Sequence, residues 1–412
     1  MAEKSVEHNQ RQFNLKGVFI MIFIGIDVAK SKHDCCILGT GGEILKDSFT
    51  FANNRIGFEE LFTAIQSAIQ GNQDSEVRVG LEATGHYSTN LVAFIRDSGI
   101  EPIILNPLSV NLFRKSQTLR KTKTDKVDAR YIAAMLMSLD SSPRTPISYH
   151  IEELKVLTRN RSRLVGYRAK LKLSFTRLLD VVFPELPGIV WSRNQKSVQA
   201  LLLELPNTEA ITSCRIDRLT NVLNGASHGR YGRERAIAIR KAASDSIGSN
   251  SPAMAFEIQQ TIRLIKNTQE EIGLLDKQIA ILIKSTHTPL LTIPGIGCTL
   301  AAIILSEIGD ISRFETPSQL LAFAGMEPSS YQSGNFNANN TPMVKRGSTY
   351  LRWAILQAAR LVAMRDKTFK DFLKKKRSEG KHFNVALSHV GKKLIRVIFH
   401  MLLTDREFIP QT

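Results

Sequence analysis

Four acidic residues lie in short motifs whose composition suits metal-dependent chemistry. They are Asp27 in FIGIDVAK, Glu82 in RVGLEATG, and Asp125 with Asp128 in KTDKVDAR. Ionised carboxylates that converge without a proton or a cation repel one another, so a cluster of four implies a bound cation. Mg²⁺ is the expected ion, and Mn²⁺ is the alternative, because hard divalent ions prefer oxygen ligands.

A metal site of this kind is suited to phosphodiester chemistry. Two ions about 3.5–4 Å apart can bind the attacking and the departing oxygen of a phosphodiester, while carboxylates hold the ions in place. Taken one at a time, the acids have an ordinary explanation, because Asp and Glu are usually solvated surface residues. Asp27 is less ordinary, since it interrupts a strand that should be buried on both faces.

The charge of the whole chain indicates a polyanionic partner. The 412 residues include 55 Lys and Arg against 38 Asp and Glu, which gives a formal net charge of +17 and a pI near 9.8. DNA or RNA is therefore expected in preference to an anionic membrane surface. A hydrophobic fraction of 43% is ample for folding, and the length predicts two or three domains.

Cysteine spacing and the N-terminal apolar run exclude other classes of protein. The four cysteines show neither CxxC nor Cys/His spacing, which argues against structural zinc or a disulfide framework and favours a reducing cytoplasm. The apolar run 18–26 is shorter than the ~20 residues needed to cross a bilayer and has no signal cleavage site. We therefore expect no membrane association, a flexible extension over 1–20, and a buried strand after it.

The elements that must position the acids alternate between strands and helices. The predicted strands are Ile22–Val28, Asp34–Leu38, Glu43–Thr50, Glu76–Ala83 and Glu101–Leu105. A hairpin followed by βαβ units predicts an α/β domain over 21–145, with a mixed sheet of the RNase H-like type and helices on its faces. Asp27 then lies on the central strand and Glu82 at the end of a neighbouring strand.

The other two acids belong to a helix that follows a basic segment. Asp125 and Asp128 are spaced i and i+3, so both project from one side of a helix capped by Thr124. Residues 114–130 hold seven basic residues and only these two acids. The residues predicted to contact nucleic acid here are Arg114, Lys115, Arg120, Lys121 and Lys123.

The middle of the chain, residues 146–288, is predicted to be a helical, coiled-coil-like linker. Leu154–Leu179 carries eight basic residues and no acid, which is typical of a phosphate-facing helix or of a solvated surface. We favour nucleic-acid contact, through Arg161 and Arg163. Ala255–Ile283 is expected to form one long helix that packs on a partner helix, from this chain or from another subunit.

Residues 289–412 form the third predicted domain, which is mainly helical. Leu291–Gly297, LTIPGIG, resembles a helix-hairpin-helix turn, in which Gly295 and Gly297 would let a phosphate reach backbone N–H groups. The alternative is a turn with packing duties only. Residues 341–412 contain sixteen Lys and Arg against five acids. The basic residues predicted to contact phosphates are Lys345, Arg346 and Arg352.

Several motifs together resemble a known family. IGIDVAKSKHD, GLEATGHY and KTDKVDARYIA, followed by LLTIPGIGCTLAAIILSEIGDISRF, LAFAGMEPSSYQSGN and VKRGSTYLRWAILQAA, resemble the DEDD insertion-sequence transposases of bacteria. The N-terminal domain of that family is similar to the Holliday-junction resolvase RuvC. The resemblance covers both ends of the chain in order, and it assigns the metal-binding carboxylates to Asp27, Glu82, Asp125 and Asp128.

The resemblance also implies a nucleophile. A serine before a glycine in a polar loop is usually only turn chemistry. The family, however, carries a reactive serine in a loop of the form GxxPxxxxSG, and the matching position here is Ser333. Ser329 and Ser330 occupy variable positions of that loop.

The family resemblance implies a DNA transposase or recombinase. Attack by Ser333 would leave DNA esterified to the protein and conserve the bond for rejoining. The expected partners are donor and target DNA, an element-encoded guide RNA, and further copies of the chain in a homo-dimer or homo-tetramer. The expected location is the bacterial cytoplasm, at the nucleoid.

Three other interpretations are open at this point. The first is a structure-selective nuclease, such as a junction resolvase, that uses the four carboxylates and water. The second is a non-catalytic nucleic-acid-binding protein descended from such an enzyme. The third is a sugar-kinase-like protein, but the chain has no paired glycine-rich phosphate loops to support it.

Overall fold

The structure is a computed structural model that describes most of the chain. The described residues are 21–71, 75–82, 86–105, 107–117, 125–139, 149–329, 332–333, 336–337 and 342–410. The predicted extension over 1–20 lies outside them. The chain divides into two compact units, Met1–Pro146 and Ile147–Thr412. The finer domain bounds given above stay predictions.

The first unit is a five-stranded mixed sheet with helices. Its elements are β1 Met21–Val28, β2 Lys32–Leu38, β3 Ile44–Ala52, α1 Arg55–Gln70, β4 Glu76–Glu82, α2 Thr89–Asp97, β5 Ile103–Leu105, α3 Pro107–Gln117 and α4 Asp125–Met137. The strand order is β3-β2-β1-β4-β5. β1 pairs antiparallel with β2 and parallel with β4. The predicted mixed α/β sheet with a central first strand is confirmed, whereas its relation to RuvC stays a prediction.

β1 is buried on both faces because its apolar side chains alternate between two cores. Ile22, Ile24 and Ile26 belong to one core together with side chains of α1 and α2. Phe23 belongs to a second core, which α4 covers. Since side chains on one face of a strand recur every two residues, Asp27 lies on the α4 face with Phe23.

Two glycines allow α4 to lie directly on this face of the sheet. Gly25 on β1 pairs with Gly80 on β4. A Cβ at Gly25 would stand 2.2 Å from the carbonyl oxygen of Ala129, and a Cβ at Gly80 would stand 2.6 Å from Leu136. The absence of side chains at these two glycines thus lets α4 pack directly on the strands. Each of the two glycines precedes one of the predicted metal-binding acids by two residues.

The second unit is almost entirely helical. Its elements are α5 Tyr149–Val182, α6 Lys196–Glu204, α7 Thr208–Ser213, α8 Ile216–Ser227, α9 Arg233–Ser244, α10 Pro252–Ser285, α11 Cys298–Ile308, α12 Pro317–Phe323, β6 Gln332–Ser333, β7 Phe336–Asn337, α13 Thr349–Arg365, α14 Lys367–Ser378 and α15 Phe383–Thr404. The predicted helical character of the middle and of the C-terminal part is confirmed. Among the described residues, no helix is long and apolar enough to cross a membrane.

Two 34-residue helices, α5 and α10, form the spine of this unit. They carry a small helical module, α6–α9, with a core of its own that includes Phe175 and Phe183. A second core joins the other ends of α5 and α10 to α11–α15. The predicted long helix over 255–283 is therefore present, and its partner within the chain is α5.

Candidate active site and nucleic-acid contacts

Two of the predicted site acids lie at the same edge of the sheet. Asp27 is the next-to-last residue of β1, and Glu82 is the last residue of β4. The two strands are parallel and are paired up to Ile26 and Leu81, the residues just before the acids. Both carboxylates therefore lie on the face of the sheet that α4 covers, at the carboxyl ends of neighbouring strands.

The other two acids come to this edge on the first turn of α4. Asp125 is the first residue of the helix, and Asp128 directly precedes Ala129, which packs on Gly25. The start of α4 is also held by Ser48 of β3, whose hydroxyl donates to the carbonyl oxygen of Lys126 at 2.9 Å. Because α4 packs closely on the sheet, its two carboxylates lie near those of the strands.

The pKa of Asp27 indicates that the four acids lie close together. Burial, followed by the negative charges of Asp128, Asp125 and Glu82, raises the pKa of Asp27 from an ordinary 3.8 to about 6. Mutual repulsion of this kind requires carboxylates close enough to interact through a partly buried medium. The structure therefore brings together all four acids that the motifs predicted.

A fifth acid belongs to the same neighbourhood and was not predicted. Asp34 on β2 stands directly opposite Asp27 in the β1–β2 pairing and is almost fully buried. The hydroxyl of Thr50 donates to Asp34 at 2.5 Å, and the charge of Asp34 also raises the pKa of Asp27. The signal was available in the sequence, because a tight turn after Val28 pairs residues 27 and 34.

Arg114 is an ion-pair partner within the cluster, and its predicted contact with nucleic acid stays a prediction. Its guanidinium donates to the two carboxylate oxygens of Asp128 at 3.0 and 3.3 Å, and to the side-chain oxygen of Asn111 at 3.1 Å. Asp128 and Arg114 are both largely buried. Arg114 thus supplies positive charge at the place where the sequence predicted a metal ion.

The side chains of the cluster suit a divalent metal ion by their chemistry. All are carboxylates, the oxygen donors that Mg²⁺ and Mn²⁺ prefer, and the raised pKa of Asp27 marks negative charge that a cation would neutralise. Over the described ranges, no three acidic, His or Cys side chains are gathered tightly enough to form a ready metal cage. Arg114 is the cation that pairs with the cluster in this structure.

Ser333 lies on a short β-hairpin between α12 and α13. It belongs to β6, where it pairs with Phe336 of β7. Two backbone hydrogen bonds join the chain on either side of these strands. The N–H of Ser329 donates to the carbonyl oxygen of Pro342 at 2.8 Å, and the N–H of Val344 donates to the carbonyl oxygen of Glu327 at 3.0 Å. The described part of the predicted loop is thus a hairpin with a paired backbone, and Ser333 lies on its first strand.

The base of this hairpin is fixed by a network that the sequence analysis missed. Glu307 of α11 is 2% exposed and accepts hydrogen bonds from Arg159 of α5 at 2.7 Å and from the hydroxyl of Ser348 at 2.7 Å. Burial alone would raise the pKa of Glu307, but these two donors hold that pKa below its ordinary value. Ser348 also caps α13 through the backbone N–H of Leu351.

Arg352, another predicted phosphate contact, also serves the hairpin base. Its guanidinium donates to the carbonyl oxygens of Ala324 and Lys345, at 3.3 and 3.1 Å. These carbonyls stand on the two sides of the hairpin where it leaves and re-enters the helical unit. Arg352 therefore ties the two sides together.

The long basic run on α5 is divided between internal ion pairs and solvent. Arg161 donates to Asp276 of α10 at 2.6 Å, and Arg159 is bound by Glu307. Arg177 reaches Glu257 of α10 at 3.5 Å, whereas Arg163 is exposed. Local sequence contains no acid to balance these cations, but α10 and α11 supply some. The predicted contact of Arg161 and Arg163 with nucleic acid stays a prediction.

The remaining predicted contacts differ in accessibility. Lys115, Lys345 and Arg346 are exposed. Gly295, at φ +101°, packs against the backbone of Leu361 in α13, so a close packing contact explains this glycine. Gly297 is exposed and precedes the first turn of α11. The other three predicted residues, Arg120, Lys121 and Lys123, lie outside the described residues.

Comparison with known proteins gives matches to both halves of the chain. A family model for DEDD transposases of the IS110 type, described as a transposase, matches residues 24–184. A second model, described as transposase of the IS116/IS110/IS902 family, matches residues 287–374. The first range contains the four site acids, and the second contains Ser333.

Curated relatives align over nearly the whole chain. An uncharacterized 44.8 kDa protein of insertion element IS116 from Streptomyces clavuligerus is 26% identical, over 94% of this chain and 96% of its own length. The pilin gene-inverting protein of Moraxella bovis is 25% identical, over 94% and 97%. The mini-circle putative transposase for IS117 of Streptomyces coelicolor is 24% identical, over 95% and 96%. The two family models and these relatives place the chain in the IS110/IS116 family of insertion-element transposases.

Proposed function

We propose that this protein moves an insertion element by cutting DNA and rejoining it, with the four carboxylates as a divalent metal site and Ser333 as the nucleophile. The observation that supports the metal site best is the raised pKa of Asp27, because burial and then the negative charges of Asp128, Asp125 and Glu82 raise it. Asp27, Glu82, Asp125 and Asp128 would hold the metal. Bound Mg²⁺ or Mn²⁺ would stabilise the charge that develops on the phosphodiester oxygens.

The serine step conserves the phosphodiester bond. Ser333 loses its hydroxyl proton and its oxygen attacks phosphorus, while the bond to the departing strand breaks and that strand leaves with a hydroxyl end. DNA is then esterified to Ser333. The hydroxyl end of another strand attacks the same phosphorus and releases the serine. Because one ester replaces another at each step, no external energy source is needed.

Rejoining is favoured over simple hydrolysis by one of the relatives. The Moraxella bovis protein is named for inverting a pilin gene. Inversion of a DNA segment requires that cut ends be joined again in a new order, which a nuclease that uses water does not do. For this chain, recombination is therefore the leading function and water-dependent nuclease activity is the alternative.

The proposed partners follow from charge and from the family resemblance. Lys115, Arg163, Lys345 and Arg346 are exposed cations that can contact DNA or RNA phosphates. We propose that an element-encoded RNA pairs with donor and target DNA and so selects the sites. We also propose that copies of the chain assemble as a dimer or tetramer on DNA.

The decisive experiment compares three variants in a recombination assay. Protein, DNA carrying the ends of the element, target DNA and the RNA of the element are incubated with Mg²⁺, and covalent protein–DNA adducts and joined products are both measured. Ser333→Ala should form neither, whereas the matched control Ser329→Ala, in the same hairpin, should form both. Asp27→Asn should lower the rate by about a thousandfold, because it removes charge from the proposed metal site.

Each component of the proposal can fail separately. Adducts or joined products from Ser333→Ala would exclude this serine as the nucleophile. Cutting by the wild type without joining would favour the water-dependent nuclease. Full activity without RNA would exclude guidance, and DNA binding without any cutting would favour a non-catalytic binding protein.

A further inference from the structure

A cavity of about 850 Å³ lies in the second unit, between α14, α15 and the segment 405–410. That segment turns back after α15, and the backbone N–H of Phe408 donates to the hydroxyl of Thr292 at 2.9 Å. The cavity is therefore an open pocket bordered by two helices and a strap of chain. Its size is in the range of pockets that take a small organic ligand.

One side of the cavity carries an excess of positive charge. Lys392, Lys393 and Arg396 of α15 and Arg406 of the strap line it, against one carboxylate, that of Glu407. Among the described residues, no carboxylate forms an ion pair with any of these four cations. They differ in this respect from Arg159 and Arg161 of α5, which acids of the same unit bind.

The pKa values of two groups that line the cavity reflect this concentration of positive charge. Burial, and then the charge of Arg396, lowers the pKa of Lys392. Burial, and then the charges of Lys392 and other lysines, lowers the pKa of His389, which also lines the cavity. Positive charge is thus concentrated here without a counter-ion from the described part of the protein, as expected of a site that receives an anion.

Another side of the cavity is aromatic. Phe369 is buried, and Phe372 and Phe408 are half-buried, so part of each of these two rings is accessible to a ligand. The ammonium group of Lys393 stands 5.3 and 5.1 Å from the ring centres of Phe369 and Phe372. The cationic and aromatic surfaces therefore meet, and one ligand can contact both.

We propose that this cavity binds one unpaired nucleotide of single-stranded RNA or DNA. Its phosphate would contact Lys392 and Arg396, and its base would lie against Phe372 and Phe408. Single-strand binding sites combine positive charge along the backbone with aromatic rings that stack on bases. Inorganic phosphate or an acidic peptide would leave the rings unused, and a base inside a duplex is already stacked on its neighbours and has no free face for them. RNA and DNA share the recognised chemistry.

The proposal depends on the proposed function only for the class of partner. It involves neither strand cutting nor the carboxylate cluster. Binding can therefore be measured with the full chain in EDTA, where metal-dependent chemistry is absent. A protein that binds in this way but fails to recombine DNA would contradict the proposed function and leave this proposal intact.

The first test measures binding of single strands by fluorescence anisotropy. RNA and DNA strands of about 12 nucleotides and the same sequence are compared with the matching duplex and with an oligo-glutamate peptide. The double variant Lys392→Gln, Arg396→Gln should bind single strands about tenfold more weakly. The matched control Lys370→Gln, Lys375→Gln removes the same charge from α14 outside the cavity and should change binding by no more than about twofold.

The second test addresses the aromatic side. Phe372→Leu keeps an apolar side chain but removes the ring, and it should weaken single-strand binding about fivefold while duplex binding is unchanged. A strand carrying 5-iodouracil should crosslink under light to the peptide that contains Phe372 or Phe408. The tighter of the RNA and DNA strands identifies the natural source of the nucleotide.

Three outcomes would overturn the proposal. The control variant could lose as much affinity as the cavity variant, duplex binding could fall in parallel with single-strand binding, or oligo-glutamate could displace the strands. The first two would indicate a general basic surface, and the third a site for an acidic peptide. Thermal unfolding of each variant checks its folding, and Arg396→Gln alone, at an exposed position, serves as a milder version.

Discussion

The carboxylate cluster of the first unit and the hairpin base of the second are both built around acidic side chains, but in opposite ways. Asp27 is surrounded by other acids, and repulsion with burial raises its pKa to about 6. Glu307 is more deeply buried, yet Arg159 and Ser348 hold its pKa below the ordinary value. In the first arrangement Arg114 pairs with Asp128 and the pKa of Asp27 is still raised, whereas the second arrangement is already neutralised.

The comparison distinguishes a proposed ligand-binding site from a network that stabilises the fold. Backbone packing at Gly25 holds α4, with Asp125 and Asp128, against the strands that carry Asp27 and Glu82. In the hairpin base, the charges themselves connect α5, α11 and the start of α13. Converting an acid to its amide should therefore have opposite effects on stability in the two places.

The largest expected effect on stability is that of Glu307→Gln. The substitution leaves Arg159 without its carboxylate and removes one of the negative charges near the half-buried Lys155, and an unpaired charge that is partly buried is costly. We expect the free energy of unfolding to fall by about 3 kcal/mol, near the lower end for a broken buried pair because Arg159 is 43% exposed. Urea unfolding of the full chain at about pH 7 measures the change.

A matched substitution distinguishes this network from charge removal in general. Glu271→Gln changes an exposed acid on α10 and should alter stability by less than about 0.5 kcal/mol. If Glu307→Gln is equally mild, the hydrogen bonds from Arg159 and Ser348 do not stabilise the hairpin base. Recombination by Glu307→Gln should also decline, since Ser333 depends on this base for its position.

A smaller effect is expected from Gly25→Ala, which attacks the packing that gathers the carboxylates. The added methyl group would collide with the backbone of α4 at Ala129 and Ala133, which cannot rotate away. We expect a loss of about 2 kcal/mol in the first unit, a usual cost of overpacking. Hydrogen exchange of residues 21–139, followed by mass spectrometry, should show faster exchange in β1 and α4.

The control for this substitution is another glycine to alanine change. Gly166 lies within α5 with open space around it, so Gly166→Ala should be neutral or stabilising by up to about 1 kcal/mol. Unchanged exchange in Gly25→Ala would mean that α4 does not lie as close to β1 as the structure describes.

The elements of the first unit were predictable because their signals are local. The apolar run before Asp27, the hairpin after it and the alternation of strands and helices are each signalled within a few residues, and the sheet has five strands with β1 in the middle. The convergence of the four acids was also predictable, from motifs and a family resemblance. The role of the glycines two residues before Asp27 and Glu82 was visible in the sequence but was overlooked.

The pairings of the second unit could not be predicted in this way. Arg159 and Glu307 are separated by 148 residues, and nothing in the α5 sequence indicates which of its cations an acid will bind. Eight basic residues in one helix therefore suggested a phosphate-facing surface, although Arg159, Arg161 and Arg177 reach acids on other helices. The ion pair of Arg114 with Asp128 was missed as well, because Asp128 was assigned to a metal.

The smallest expected effect is on the pH dependence of the free energy of unfolding. It tests whether ionisation of Asp27 and of Glu307 has opposite effects on stability. Because the pKa of Asp27 is raised in the folded chain, its ionised form opposes folding, and this cost disappears as pH falls through about 6 towards 3.8. Asp27→Asn resembles the protonated form. At about pH 7 the variant should be more stable than the wild type by about 1 kcal/mol, after allowance for solvent screening of a half-buried group.

The difference should vanish near pH 4, where the wild type is protonated as well, and urea unfolding across this range measures it. Glu307 behaves in the opposite sense, since its lowered pKa gives stability that is present above its ordinary pKa and lost as pH falls below it. Saturating Mg²⁺ at neutral pH should stabilise the wild type more than Asp27→Asn, because a cation that binds only the folded cluster removes the repulsion. A variant less stable than the wild type at neutral pH without metal would show that Arg114 already neutralises the cluster, and the contrast between the two regions would fail.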